Sequence, residues 1–182
     1  MMVKILAISG SLRSGSSNTT LLQAAIDLAP TNVEMRLYNG LNDLPHFNPD
    51  LEAVELSSVT DLRSQIAWAD GLLMCSPEYA HGVPGVLKNA LDWLVISSEF
   101  VGKPIALFNA SPRATHAQAS LIEIMTTMAG QIVSEACIEV QLLGRKMGAA
   151  AIVKDPEMSG QIRGAIDRLV TTIAISMTLH DL

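Results

Sequence analysis

The chain has 182 residues, a formal net charge of −6 and a charged fraction of only 16%, which suits a single domain over residues 1–182 and excludes intrinsic disorder. Its Lys and Arg residues form no basic run, so no nucleic-acid partner is expected. No apolar stretch reaches the ~18 residues of a membrane span, and the apolar start is too short for a signal peptide. Two cysteines are too few for a disulfide framework or a zinc site. We therefore expect a cytoplasmic protein with reduced, buried thiols and no membrane partner.

Apolar runs alternate along the chain with segments of helical periodicity. The runs predict strands at residues 3–9, 33–38, 71–76, 104–109 and 132–143. The periodic segments predict helices at residues 17–29, 57–69, 84–95, 115–129 and 157–180. Ser57 and Ser58 are the candidate caps of the second helix, and the Asn- and Pro-rich residues 39–50 predict a loop.

This alternation of strands and helices indicates the fold class. Nearly continuous apolar strands are typical of a parallel sheet that helices cover on both faces. Five such strands fit the flavodoxin-like α/β fold with strand order 2-1-3-4-5. In that fold the ligand lies outside the carboxyl ends of the strands, near the first and third strands. The loops after those two strands are therefore the candidate site.

The loop after the first strand has the composition of an anion site. It cannot be a Walker A loop because Ser16 stands where the lysine is required, and Leu12 replaces the second glycine of a dinucleotide fingerprint. Hydroxyls, an amide and one guanidinium remain at a helix N-terminus, where N–H groups attract anions. This set suits a terminal monophosphate held without metal: Ser11, Arg13, Ser16, Ser17, Asn18 and Thr19. The alternative is an ordinary connection whose serine caps the helix.

The loop after the third strand, SPEYAHGVP at residues 76–84, has the composition of a ring site. Two prolines stiffen its backbone, and Tyr79 can form the wall of a pocket for a planar heterocycle. For Glu78 we favour a structural role, capping the following helix or holding the loop, over proton transfer. His81 by itself indicates little.

These motifs resemble those of a known family. The sequences GSLR at residues 10–13, SPEY at residues 76–79 and PGVLKNALDW at residues 84–93 resemble the NAD(P)H-dependent FMN reductases, which include bacterial quinone, chromate and azo-compound reductases. LPHFNPD at residues 44–50 is similar to a further loop of that family. The resemblance extends from residue 3 to about residue 130.

The resemblance implies that FMN binds in the two loops. Its phosphate would be held by Ser11, Arg13, Ser17 and Asn18, and its ring would lie against Pro77, Glu78, Tyr79 and Ala80, with Gly82 allowing a close approach. The chain departs from the family pattern at Ala80, where an asparagine is usual, and at residues 110–116, which contain no glycine. In that last segment Ser111 and Arg113 are expected to edge the flavin site. The alternative is a plain turn capped by Ser111 or Thr115.

Three functions remain open from the sequence. The resemblance favours an enzyme in which FMN accepts hydride at N5 from NAD(P)H and reduces a quinone or a similar small acceptor. Because the flavin carries this chemistry, no catalytic side chain and no metal are expected. Arg113, His81 and His116 would shape the opening of the site. The alternatives are a flavodoxin-type electron carrier and an FMN-binding redox sensor without turnover.

The low charged fraction predicts a homodimer or homotetramer. Within residues 93–101, Ile96 and Phe100 find no place on the sheet-facing stripe of their helix, and a soluble monomer rarely exposes such a patch. Two-fold pairing is the commonest way to cover it. The family resemblance also implies dimers or tetramers. We expect the partner to close over the flavin, with residues 44–50 as the contributing loop.

Overall fold

The computed structural model describes residues 2–142 and 144–180. Its strands are β1 (Val3–Ser9), β2 (Val33–Tyr38), β3 (Gly71–Cys75), β4 (Pro104–Asn109), β5 (Gln131–Ile132) and β6 (Ile138–Glu139). Its α-helices are α1 (Ser17–Leu28), α2 (Ser57–Trp68), α3 (Gly85–Leu94), α4 (Thr115–Thr127), α5 (Ala149–Lys154) and α6 (Pro156–His180). Short 3-10 helices lie at Gly40–Asp43, Pro49–Leu51, Ser98–Phe100 and Ser134–Ala136.

The strands form one parallel sheet in the order β2-β1-β3-β4-β5, and β6 pairs with β4. The predicted order 2-1-3-4-5 is therefore confirmed. Ser9 at the end of β1 is in register with Cys75 at the end of β3, and Cys75 is in register with Phe108 near the end of β4. Because these strands run parallel and end level, the loops that follow them meet at one edge of the sheet.

Helices cover both faces of the sheet. One face packs against α1, α5 and α6 through a buried apolar cluster whose helical members include Leu22, Ile152 and Ile166. The other face packs against α2, α3 and α4 through a second cluster that includes Ile66 and Leu91. Since β1, β3 and β4 are buried from both sides, they are almost continuously apolar, which is why their positions can be predicted from the sequence.

The predicted fifth strand at residues 132–143 is wrong in its length. The structure has two short strands there, β5 and β6, separated by the 3-10 helix Ser134–Ala136. The backbone N–H of Leu107 donates to Cys137 Sγ at 3.3 Å, so a side chain takes the place of a ladder carbonyl where β5 ends. The last residue of the prediction, Leu143, lies outside the described residues.

The C-terminal region contains one helix more than predicted. The six-residue α5 is too short to show a helical period, and Asp155 separates it from α6, which begins at Pro156. The apolar stripe of α6 is buried at Ile162, Ile166, Leu169 and Ile173. None of the helices in the described part of the chain has the length and apolar character needed to cross a bilayer.

Several side chains lie elsewhere than predicted. The N-cap of α2 is Leu56, which makes no side-chain capping bond, and not Ser57 or Ser58. Phe100 is buried in the core, because the chain turns through a 3-10 helix after α3 and brings its ring inward. Val95 follows the last residue of α3 and is 59% exposed.

Both cysteines are free thiols. Cys75 is buried as predicted, whereas Cys137 is only partly buried. Burial raises the pKa of each thiol above its ordinary value, so both stay protonated at neutral pH.

Candidate functional site

A cavity of about 320 Å³ opens at the carboxyl ends of β1, β3 and β4. Three loops supply its walls, and its lining residues are Ser11, Arg13, Ser16, Ser17, Asn18, Ser76, Pro77, Glu78, Tyr79, Ala110, Ser111, Arg113 and Ala114. The structure thus brings together every predicted contact residue except Thr19, Ala80 and Gly82. What these residues bind stays a prediction at this point.

The first loop lies close against the end of β3. The Gly10 N–H donates to the Cys75 carbonyl at 2.9 Å. A Cβ at Gly10 would lie 2.6 Å from Ser76 Oγ and 3.0 Å from Leu87 Cδ2, so a side chain there would push the first loop away from the second. Gly10 is therefore required for the two halves of the cavity to meet.

The N-terminus of α1 forms the polar end of the cavity. Ser16 is the N-cap and accepts from the Thr19 N–H at 3.5 Å. Ser17 and Asn18 occupy the first two helical positions, where backbone N–H groups have no partner within the helix. Both residues line the cavity. Ser16 therefore combines two roles that the sequence had left as alternatives, the cap of the helix and a wall of the site.

Arg13 supplies the positive charge of this end. The Arg13 N–H donates to Ser11 Oγ at 3.3 Å, which closes a local turn. Within the described residues, no carboxylate lies at ion-pair distance from its guanidinium, so its charge is available to an anion in the cavity. Arg113, from the loop after β4, also lines the cavity and provides a second guanidinium.

Asn18 is the most enclosed polar residue of the first loop besides Ser16. Its side chain is 8% exposed, and its Oδ1 accepts from Cys75 Sγ at 3.2 Å. A second contact fixes the same region, because Ser9 Oγ and Thr19 Oγ1 lie 2.7 Å apart. Thr19 is therefore occupied beneath the loop and does not line the cavity.

The second loop ends in a tight turn with unusual backbone angles. Tyr79 and Gly82 exchange both backbone hydrogen bonds, at 3.1 and 2.9 Å. The two central residues, Ala80 and His81, have φ of 49° and 58°, as in a type I′ turn. Such angles suit Asn and Gly and are strained for alanine. The turn projects Tyr79, which is 55% exposed, at the mouth of the cavity.

Glu78 ties the second loop to the third. Its Oε2 accepts from the Ala117 N–H at 2.8 Å, at the third position of α4. The structural role favoured for Glu78 is therefore confirmed, although the helix it caps is α4 and not the helix that follows it in sequence. Of the two alternative caps, Ser111 does cap the turn, because its Oγ accepts from the Arg113 N–H at 3.3 Å. Thr115 is not a cap, because the N-cap position of α4 is Ala114, which makes no side-chain bond.

The third loop is shaped by Asn109 at the end of β4. Its Oδ1 accepts from the Ser111 N–H at 3.0 Å, and its Nδ2 donates to the Ala114 carbonyl at 3.4 Å. Residues 110–116 contain no glycine, and these hydrogen bonds of Asn109 hold the turn in its place. The sequence patterns did not predict that Ser76, Ala110 and Ala114 line the cavity. Their positions, directly after a strand or directly before a helix, could have indicated it.

Two histidines stack beside the cavity. The rings of His81 and His116 have centroids 4.2 Å apart and planes inclined by 22°. Both residues are exposed and neither lines the cavity itself. Together with the Glu78–Ala117 bond, this stack joins the second loop to the start of α4.

The arrangement fits a ligand with an anionic end and a flat end. Hydroxyls, the Asn18 amide, helix N–H groups and Arg13 converge on the α1 side. Pro77, Tyr79, Ala110 and Ala114 provide flatter, less polar walls on the other side. A phosphorylated heterocycle such as FMN has this polarity, and the volume is within the roughly 300–1,000 Å³ of small-molecule sites.

Comparisons with known proteins agree with this reading. A sequence profile of the family described as NADPH-dependent FMN reductase matches residues 3–142. Among solved structures, the chain is similar to a flavoenzyme NAD(P)H:(acceptor) oxidoreductase, FerB, from Paracoccus denitrificans. That similarity has a TM-score of 0.77 and 28% identity, and it covers 95% of this chain and 98% of FerB.

Two curated relatives are similar in sequence. An NAD(P)H-dependent FMN reductase of Pseudomonas aeruginosa is 45% identical over 112 residues. A quinone reductase of Escherichia coli K12 is 34% identical over 113 residues. Each alignment spans 60% of this chain and 60% of the relative.

Proposed function

The chain belongs to the NADPH-dependent FMN reductase family, and from this premise we propose that it is an FMN-dependent NAD(P)H oxidoreductase. Its acceptors are proposed to be quinones or similar small molecules, such as free flavin, chromate or azo compounds. The observation that carries the proposal is a cavity at the ends of β1, β3 and β4 in which the polar start of α1 meets flatter, less polar walls.

In this proposal the first loop holds the FMN phosphate. Ser11, Ser16, Ser17 and Asn18 donate hydrogen bonds together with the N–H groups at the start of α1, and Arg13 supplies charge. A phosphate carries about −1.5 to −2 charge at neutral pH, and charge-assisted bonds to it are the stronger class. The phosphate therefore needs no metal ion in this loop.

The second and third loops position the ring. Pro77 and Tyr79 line one wall, and Ser111 and Arg113 edge the other. Ala80 and Gly82 lie outside the cavity lining, so they contribute through the backbone of the turn that presents Tyr79. Bound FMN supplies the redox chemistry between nicotinamide and acceptor. The protein positions the ring and leaves one side of it open, with His81 and His116 at the margin.

The test is purification of the full chain followed by flavin analysis and turnover. We expect a yellow protein that releases FMN on heating, and rapid oxidation of NADPH or NADH when menadione is added. Released FAD, or a protein that takes up no FMN, would refute the cofactor. Bound FMN that NAD(P)H reduces without turnover of menadione would select the electron carrier, and FMN that NAD(P)H does not reduce would select the sensor.

We propose further that the protein is a homodimer or homotetramer. The support is an apolar patch after α3, formed by Val95, Ile96 and Val101, which are 59%, 59% and 61% exposed. The patch follows the helix that anchors residues 44–50, because Asn89 accepts from the Phe47 N–H at 2.8 Å. An interface through the patch therefore brings residues 44–50 near the partner, as the proposed closure over the flavin requires.

Light scattering tests this assembly. At micromolar concentration we expect a mass about twice or four times 19.4 kDa. Ile96→Asp should lower it, whereas Ile175→Asp, at a position 57% exposed on α6, should not. A monomeric mass with full reductase activity would refute both the interface and the shared site.

The remaining partner and location assignments are proposals of the same kind. The net charge of −6 supports the absence of a nucleic-acid partner. Two free cysteines support a reducing compartment, the cytoplasm. Cell fractionation and a gel-shift assay with duplex DNA would check both.

A further inference from the structure

The thiol of Cys75 lies beneath the polar end of the cavity. Cys75 is the last residue of β3 and is 1% exposed. Its Sγ donates to Asn18 Oδ1 at 3.2 Å. Asn18 lines the cavity. This buried side chain therefore contacts the polar end of the cavity through Asn18.

The protonation of this thiol decides which way the Asn18 amide faces. Burial raises the pKa of Cys75 well above its usual range, so the sulfur carries its proton and acts as a donor. A donating thiol needs an oxygen acceptor, and Asn18 offers one in Oδ1. With the amide reversed, its N–H group would face the thiol, and the S–H would be buried without a partner.

We propose that Cys75 is a positioning residue that holds the Asn18 amide with its oxygen buried and its nitrogen free to donate to the phosphate of FMN. This inference rests on the proposed function. Without the thiol, the Asn18 amide can rotate about its terminal bond and turn its oxygen toward the phosphate. The amide oxygen and the phosphate oxygens then repel each other. A side chain fixed beforehand avoids the entropy cost of ordering on binding.

Paired substitutions at Cys75 test this role. Cys75→Val removes the donor at similar volume, and Cys75→Ser keeps a hydroxyl donor. The full chain, freed of flavin, is titrated with FMN and with riboflavin, which lacks the phosphate, and binding is followed by flavin fluorescence. We expect Cys75→Val to raise the Kd for FMN about five- to tenfold, as for the loss of one net hydrogen bond. The Kd for riboflavin should change less than about twofold, and Cys75→Ser should match the wild type for both.

A second comparison shows whether Cys75 acts through Asn18. In an Asn18→Ala background, Cys75→Val should have no further effect on the Kd for FMN. An equal loss for FMN and riboflavin, an undiminished effect in the Asn18→Ala background, or no effect at all would overturn the inference. If Cys75→Val does not fold, Cys75→Ala replaces it. A wild-type chain that binds no FMN would instead refute the proposed function.

Discussion

Arg13 offers the most direct test of the phosphate site. It is the only cation among residues 9–19, it lines the cavity, and no carboxylate in the described part of the chain pairs with it. Substitution of Arg13 by alanine should therefore remove a positive charge that faces the ligand, without breaking an ion pair within the protein. The side chain is exposed, so its loss should leave the free energy of unfolding nearly unchanged.

The expected size of the effect is set by one charge-assisted hydrogen-bonding group. Loss of such a group costs about 2–3 kcal/mol, which corresponds to a Kd for FMN raised about 30- to 140-fold. Because Arg13 is exposed, salt screens its charge. The ratio of mutant to wild-type Kd should therefore be larger at low ionic strength than at high ionic strength.

The assay is fluorescence titration with FMN and riboflavin at two salt concentrations. Arg13→Ala should weaken FMN alone, whereas Tyr79→Ala, at the ring end, should affect both flavins alike and alter turnover. Arg36→Ala is the matched control, because Arg36 is exposed and bonds Glu34 on β2. An unchanged Kd for FMN in Arg13→Ala, or an equal loss for riboflavin, would remove Arg13 from the phosphate site.

Three further predictions concern stability. Glu78→Ala should lower the free energy of unfolding by about 1 kcal/mol, as for a lost helix cap. Glu78→Gln keeps an oxygen acceptor, so its free energy of unfolding should fall by less. Equal decreases for the two variants in urea unfolding would contradict the capping role. Ala80→Asn should raise the free energy of unfolding by about 0.5–1 kcal/mol, because asparagine tolerates the φ of 49° better than alanine does. An unchanged midpoint of urea unfolding would contradict strain in the turn. Burial, with the negative charge of Asp61, raises the pKa of Tyr38 from 10.0 to about 12. As the pH rises, the unfolded chain therefore loses the Tyr38 proton at a lower pH than the folded protein does. The free energy of unfolding that Tyr38 contributes is fully present below about pH 10 and is lost between about pH 10 and about pH 12. In urea titrations at a series of pH values, the free energy of unfolding of Tyr38→Phe should decline less over this pH range than that of the wild type. An identical decline in both proteins would refute the raised pKa of Tyr38.

The sheet, its order and the position of the site could be predicted from the sequence because they depend on local patterns. β1, β3 and β4 are buried on both faces, so each is a nearly continuous apolar run. Parallel strands with short loops then place the residues after β1 and β3 at one edge. The composition of those loops, with Arg13 in one and Tyr79 in the other, was enough to indicate an anion end and a ring end.

Only the tertiary structure decided which side chains partner each other across the chain. Glu78 bonds the backbone of Ala117, 39 positions away, and Cys75 bonds Asn18, 57 positions away. Neither pairing leaves a periodic signal, because each depends on the distance between loops that the packed sheet brings together. The same holds for the split of the last strand, where the sulfur of Cys137 replaces a carbonyl beside Leu107. A short apolar run predicts burial, but these three contacts come from neighbours remote in sequence.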